Sequence, residues 1–218
     1  MELLQLEHVG VRYGKQRVLV DVCCKLRPGE IGVVSGRNGS GKSTLLRAIA
    51  GLESTYHGTI SIRNASQHGK SVHARQQEGV GSLLQGGRVF PSLNVEEHFT
   101  LASERRPADA PHFKLGDVFP HLLTLRTRSA RVLSGGERKM LAIELLLAEH
   151  PHILLLDEPT AALGSEQLLP AARAIREHVD ACQGCALIVE HRQPELFGAG
   201  PRYHLEDGKL SNLAGVQT

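Results

Sequence analysis

The sequence predicts an α/β fold with a mainly parallel core sheet, on three observations. Several short apolar runs have strand length and are followed by stretches with helical spacing. One of them, Glu30-Ile31-Gly32-Val33-Val34-Ser35, enters the glycine-rich stretch Gly36-Arg37-Asn38-Gly39-Ser40-Gly41-Lys42-Ser43-Thr44, and helical spacing begins at Lys42. Another, Ile153-Leu154-Leu155-Leu156, stops abruptly at Asp157 and Glu158.

Strand, glycine loop and helix with G-x-x-x-x-G-K-[ST] at the junction is the P-loop arrangement. A triphosphate is densely negative, so its loop must offer many backbone N–H groups with no side chains in the way. The helix N-terminus adds its positive dipole end. Lys42 can reach the β- and γ-phosphates, and the Ser43 hydroxyl can bind Mg²⁺. The motif therefore predicts a P-loop NTPase, with a nucleoside triphosphate and Mg²⁺ at residues 36–44.

The chain has 218 residues and a net charge of +2, enough for a sizeable core and too balanced to demand a nucleic-acid partner. No apolar run approaches the roughly 20 residues of a membrane-spanning helix, and the start Met1-Glu2-Leu3-Leu4-Gln5 lacks a signal-peptide pattern. A soluble, cytosolic protein is expected. Cys23, Cys24, Cys182 and Cys185 are read as ordinary reduced thiols, since Cys182-Gln183-Gly184-Cys185 has no second pair at zinc spacing. The histidines are scattered (His68, His73, His112, His121, His150) and read mostly as surface residues without a ligand constellation.

Residues 3–12 alternate in part and predict a half-exposed strand, turned at Tyr13-Gly14 and followed by a second strand that begins with Val18-Leu19-Val20-Asp21-Val22 and ends before the Pro28-Gly29 turn. Tyr13 either caps the sheet edge or offers its ring to a flat base, where stacking contributes about 1–3 kcal/mol. Gly58 to Arg63 predicts another strand, Val72 to Gln77 a short helix, and Val80 to Leu84 a buried strand delivering Gln85. Ligands gather at the carboxyl ends of such strands, so Gln85 is placed for Mg²⁺ or an attacking water, or for plain turn chemistry.

From Gly86 to Val132 the character changes to a helical insertion. A helix should start near Asn94 with Glu97 in its first turn, and a second amphipathic helix is predicted from Leu115 to Leu125, interrupted at Pro120. Val89, Phe90 and Leu93 serve a partner or pack on the core. Ser134 and Glu137 form a capping box ahead of a helix from Arg138 to His150. Gly135 and Gly136 weaken that first turn, and close approach of a phosphate explains them. The acids after Ile153–Leu156 must emerge at the sheet edge, because unpaired buried charge is costly. Asp157 then suits the Mg²⁺ shell, and Glu158 can polarise the water that attacks the γ-phosphate. A helix from Ser165 to Cys182, a strand from Cys185 to Val189 ending at Glu190-His191-Arg192, and a hairpin over Tyr203–Leu210 with an Asp-Gly turn complete the chain. His191 sits where it can contact the γ-phosphate or orient Glu158.

Together these motifs resemble the ATP-binding-cassette ATPase family over nearly the whole chain. Leu133-Ser134-Gly135-Gly136-Glu137 looks like its signature, Gly36–Ser43 its P-loop and Ile153–Glu158 its Walker B strand. Tyr13 resembles the adenine-stacking aromatic, Gln85 the Q-loop glutamine and His191 the switch histidine. The resemblance implies one cassette over residues 1–218, with an N-terminal antiparallel β subdomain and the helical insertion at about 86–132. It implies a homodimer or heterodimer in which each ATP lies between one chain's P-loop and the other's Ser134–Gly136. Val18 joins Tyr13 in the ATP-binding set. Catalytic roles go to Glu158, His191 and Gln85, and Mg²⁺ to Ser43, Gln85 and Asp157.

A finer likeness is to the ATPases of branched-chain amino acid and amide importers. Gly87 to Glu97, Val118-Phe119-Pro120-His121-Leu122 and Gly136 to Ile143 carry it. It implies membrane permease subunits as partners, a cytoplasmic helix of which fits a groove at residues 86–100, and a place on the inner face of the membrane. Gly164 departs from the family, which usually has an aspartate there in its D-loop. A soluble cassette ATPase without a transporter, and a weakly active partner subunit, are the alternatives.

Overall fold

The computed structural model describes residues 2–85 and 88–213, and element order follows the α/β expectation. Strands β1 (Leu4–Tyr13), β2 (Gln16–Leu26), β4 (Thr55–Ile62) and β5 (Ala65–Ser66) form an antiparallel sheet in the order β2-β1-β4-β5. Strands β3 (Ile31–Ser35), β6 (Val80–Leu83), β7 (Ile153–Asp157), β8 (Cys185–Val189), β9 (Arg202–Glu206) and β10 (Lys209–Asn212) form a second sheet, ordered β10-β9-β3-β8-β7-β6. Only the β9–β10 hairpin in it is antiparallel; the other neighbours are parallel.

The continuous apolar runs of β7 and β8 follow from burial on both faces. Successive residues divide between two cores. Ile153, Leu155, Cys185, Leu187 and Val189 face helix α1 (Lys42–Ala50) and the antiparallel sheet. Leu154, Leu156, Ala186 and Ile188 face α4 (Gly135–Ala148) and α5 (Ser165–Ala181). Helix α2 (Val72–Gln77) precedes β6, and α3 (Val95–Glu104) packs against α4.

Several boundaries differ from the sequence expectation. β2 starts at Gln16, two residues before Val18, because Gln16 already pairs with Tyr13 of β1. Helix α4 begins at Gly135 rather than Arg138: the Ser134–Glu137 capping box closes its first turn around the two glycines. The expected helix over 115–125 shrinks to a 3-10 turn at Pro120–Leu125. The fully buried Glu144 carboxylate of α4 is the reason, accepting the N–H groups of Gly116 (2.9 Å), Val118 (2.8 Å) and Phe119 (3.1 Å). Those donors are spent across the fold, so no helix can use them. Gly86 and Gly87, at the start of the predicted insertion, lie outside the described residues.

Candidate functional site

The carboxyl ends of β3, β7 and β8 converge on one edge, and three buried charged residues, Lys42, Asp157 and Glu190, collect there. The loop after β3 carries Lys42, which is buried and donates from Nζ to the carbonyls of Gly36 (2.9 Å) and Arg37 (2.7 Å). Burial lowers its pKa, opposed by Glu158 and then Asp157, so both acids act on this lysine. Gly36 has φ 142, and a Cβ there would stand 2.2 Å from the Leu205 carbonyl oxygen, so no side chain fits between the loop and β9. Ser40 Oγ is buried without a hydrogen-bond partner. Val18 packs beside Gly41, while Tyr13 ends β1 with 44% of its surface exposed, leaving its ring open to a ligand.

At the end of β7, Asp157 is buried and its Oδ2 has no partner. Glu158 turns out of the strand with φ 47, its N–H held by the Val189 carbonyl at 2.9 Å. His191 Nε2 lies 3.9 Å from Glu158 Oε1. Lys139, one turn into α4, donates to the Glu158 carbonyl at 3.0 Å. Desolvation lowers the Lys139 pKa against the raising fields of Asp157, Glu158 and Glu190.

Glu190 is the residue that sequence reasoning passed over. It is buried, and its Oε1 accepts the N–H groups of His191 (2.8 Å) and Arg192 (3.0 Å). Its Oε2 accepts the Thr160 hydroxyl. One carboxylate thus ties the segment carrying His191 to the turn that follows Glu158. An apolar strand ending in an acid was the available signal: the argument that exposed Asp157 and Glu158 applies equally to β8.

Gln85 and the signature stretch sit differently. Gln85 is exposed beyond β6 and lines a cavity of about 360 Å³ with Leu52, Phe90, His98 and Leu101; no hydrogen bond joins it to Asp157 or Ser43 among the described residues. His98 is buried and organises this groove, accepting from the Phe90 N–H (2.7 Å) at Nε2 and donating from Nδ1 to the Asn94 carbonyl (2.7 Å). Phe90 is 58% exposed at the mouth, whereas Val89 packs on the core and Leu93 is half-buried, so the three apolar candidates of this stretch part company. Ser134 caps α4, and its neighbour Gly136 has a reason within the chain: a Cβ there would lie 2.8 Å from the Ala162 carbonyl oxygen. Phosphate approach is therefore not needed to explain that glycine. Gly164 caps α5 with no side-chain hydrogen bond.

Known proteins match this arrangement. The ABC transporter family model matches residues 19–161. A probable branched-chain amino acid transport ATP-binding protein LivF of Archaeoglobus fulgidus is 35% identical over 74% of this chain and 70% of its own length. The branched-chain amino acid transport ATP-binding protein BraG of Pseudomonas aeruginosa is 30% identical over 95% of this chain and 91% of its own. Relatives named for import of iron, sulfate and hemin match as well. A dimeric, post-hydrolysis ATP-binding cassette bound to ADP and Pi shares the fold with a TM-score of 0.80 at 23% identity, covering 98% of this chain and 100% of that one. The chain belongs to the ABC transporter family, as one of its ATP-binding, ATP-hydrolysing subunits.

Proposed function

We propose that this chain is the ATPase of an importer for amino acids or related small amides, working as one cassette over residues 1–218 in a pair of cassettes. The observation that carries the catalytic part is the meeting of a lysine-headed glycine loop with the orphaned, buried Asp157 oxygen. A buried anionic oxygen with no partner is costly unless a cation completes it, so the residues fit a bound divalent ion.

Lys42 exchanges the carbonyls of Gly36 and Arg37 for phosphate oxygens when ATP enters residues 36–44, with Tyr13 and Val18 at the base end. Asp157 and Ser43, with Gln85 once the groove segment moves inward, would hold Mg²⁺, which supplies charge neutralisation on the phosphates. Glu158 takes the proton of the attacking water, and His191 orients it from across the 3.9 Å gap. Gly135 and Gly136 offer the free first-turn N–H groups of α4, and Ser134 its hydroxyl proton, to the nucleotide of the second cassette. The cavity beside Gln85, with Phe90 at its mouth, receives a cytoplasmic helix of the permease and keeps the chain at the inner face of the membrane. No helix of the described residues is long and apolar enough to cross a membrane itself.

The amino acid assignment is supported by the LivF and BraG relatives and by the segments 87–97 and 136–143; the iron, sulfate and hemin names of other relatives are its competitors. Co-expression with candidate permeases tests it. Stable co-purification with an amino acid permease, lost on Phe90→Asp while ATP hydrolysis persists, is expected. Co-purification with a metal or sulfate permease instead overturns the substrate class, and a chain that hydrolyses ATP yet captures no membrane protein overturns transport. Gly164 favours a second arrangement, a heterodimer in which this chain's partner site is the weaker one. Steady-state hydrolysis by the isolated chain at less than half the rate of the mixed pair would support it.

A further inference from the structure

The antiparallel sheet carries a group of side chains that the nucleotide chemistry does not use. His8, Asp21 and Cys23 each offer one donor atom, and the three atoms lie within 4.8 Å of one another. His8 Nδ1 is 2.5 Å from Asp21 Oδ1 and 3.8 Å from Cys23 Sγ. The His8 backbone N–H donates to the same sulfur at 3.2 Å.

Two bulges build this meeting. Leu6 pairs with Cys24 and Val9 with Val22, so Glu7 and His8 of β1 face Cys23 alone on β2. Val9 pairs with Val22 and Val11 with Leu19, so Val20 and Asp21 of β2 face Gly10 alone on β1. The bulges run in opposite strands, back to back, and His8 (φ 52) and Asp21 (φ 62) both take the left-handed conformation that re-aims a side chain. On the other side of β1, Gly58 of β4 accommodates the same distortion: a Cβ there would stand 2.2 Å from the His8 carbonyl oxygen. Of the three positive-φ positions only His8 and Asp21 carry strain, since glycine takes such a φ freely.

We propose that His8, Asp21 and Cys23 form a binding site for a borderline-soft divalent cation, zinc above all. Imidazole, carboxylate and thiolate are the donor set of four-coordinate zinc, and a thiolate disfavours magnesium and calcium. With zinc bonds of about 2.0–2.3 Å, tetrahedral angles place nitrogen and sulfur about 3.6 Å apart, close to the separation present. Nitrogen and carboxylate oxygen must part by less than about 1 Å, which two exposed side chains can do. One aspartate, one thiolate and a neutral imidazole also balance the two charges of the ion. The fourth position opens to solvent, for water or a donor from another molecule. On binding, the Cys23 S–H proton leaves to solvent and the His8 proton moves from Nδ1 to Nε2, so affinity falls as pH falls.

Cobalt titration of the reduced, nucleotide-free full chain tests this. The expected spectrum has a sulfur-to-cobalt charge-transfer band and the strong visible bands of four-coordinate cobalt, both erased by stoichiometric zinc. Cys23→Ser should remove the charge-transfer band. His8→Asn and Asp21→Asn should weaken cobalt by more than the roughly 10–100-fold that loss of an outer partner costs. Asparagine tolerates the left-handed conformation, so these variants should fold; far-ultraviolet dichroism and ATP retention check that. Absence of the band, its survival in Cys23→Ser, its loss in Cys182→Ser, or unchanged affinity in either asparagine variant overturns the site.

Discussion

The two ends of β7 and β8 treat titratable groups in opposite ways. At the carboxyl ends, Asp157, Glu158 and Glu190 stand among Lys42, Lys139 and a set of backbone N–H groups, a setting built for charge. At the amino ends, His150, His152 and His178 contact one another edge-on, with ring centroids 5.0 Å (His150–His178) and 6.4 Å (His150–His152) apart. Burial lowers the pKa of all three, and that of His178 to about 4. The strands between are equally apolar, so the difference lies in what the flanking loops and helices supply. Charged partners make one end a place for ions; desolvation without an acid in contact favours neutral rings at the other.

The largest expected effect sharpens the active end. Glu158→Gln removes the proton acceptor and should lower ATP hydrolysis by about 10²–10⁴-fold with ATP affinity retained. A loss of binding in equal measure would break the assignment. Next comes the Glu190 clamp. Glu190→Ala strands three donors and should cost about 2–4 kcal/mol, read as a fall in Tm, together with kcat and with little change in KM. Glu190→Gln keeps both N–H acceptances and lets Thr160 reverse its role, so it should restore most of the loss. A failure of glutamine to rescue would mean that the charge itself, beside Lys139, matters more than the clamp.

The neutral end gives a pH test. A histidine whose folded pKa is depressed makes the folded state reluctant to bind a proton, so stability rises with pH between about 4 and 6.5. Going from pH 7 to pH 5 should cost at most about 2 kcal/mol through His178. Its Nε2–H donates to the Pro151 carbonyl at 2.8 Å, a bond that glutamine can imitate. His178→Gln should therefore flatten the pH dependence of urea unfolding; an unchanged slope would remove His178 from the account. The smallest effect is at α5. Gly164→Asp adds the missing N-cap and should stabilise by about 0.3 kcal/mol in thermal unfolding. Any larger change in ATP turnover would show that the D-loop position, not the cap, is what glycine alters.

What was legible in the sequence had a local cause. The P-loop spacing, the Ser134–Glu137 capping box, the helix start at Asn94 and the acids at the end of β7 each follow from a few consecutive residues obeying one rule. What escaped depends on residues distant in the chain. Glu144 dissolves a predicted helix by capturing N–H groups 25–28 positions away. Gly136 answers to Ala162, and the His8–Asp21–Cys23 group exists only because two bulges coincide. Three of the scattered histidines, His150, His152 and His178, become one ordered group once the strands are placed. The elements that carry the motifs thus form where the sequence places them, whereas the residues that hold those motifs in place emerge only from packing.

The central claim is that a single chain holds half of each nucleotide site. Light scattering of Glu158→Gln with MgATP tests it most directly: the account predicts a nucleotide-dependent dimer that retains two ATP molecules and dissociates when Ser134→Arg blocks the signature turn. A variant that binds MgATP tightly and remains monomeric at every concentration would contradict it.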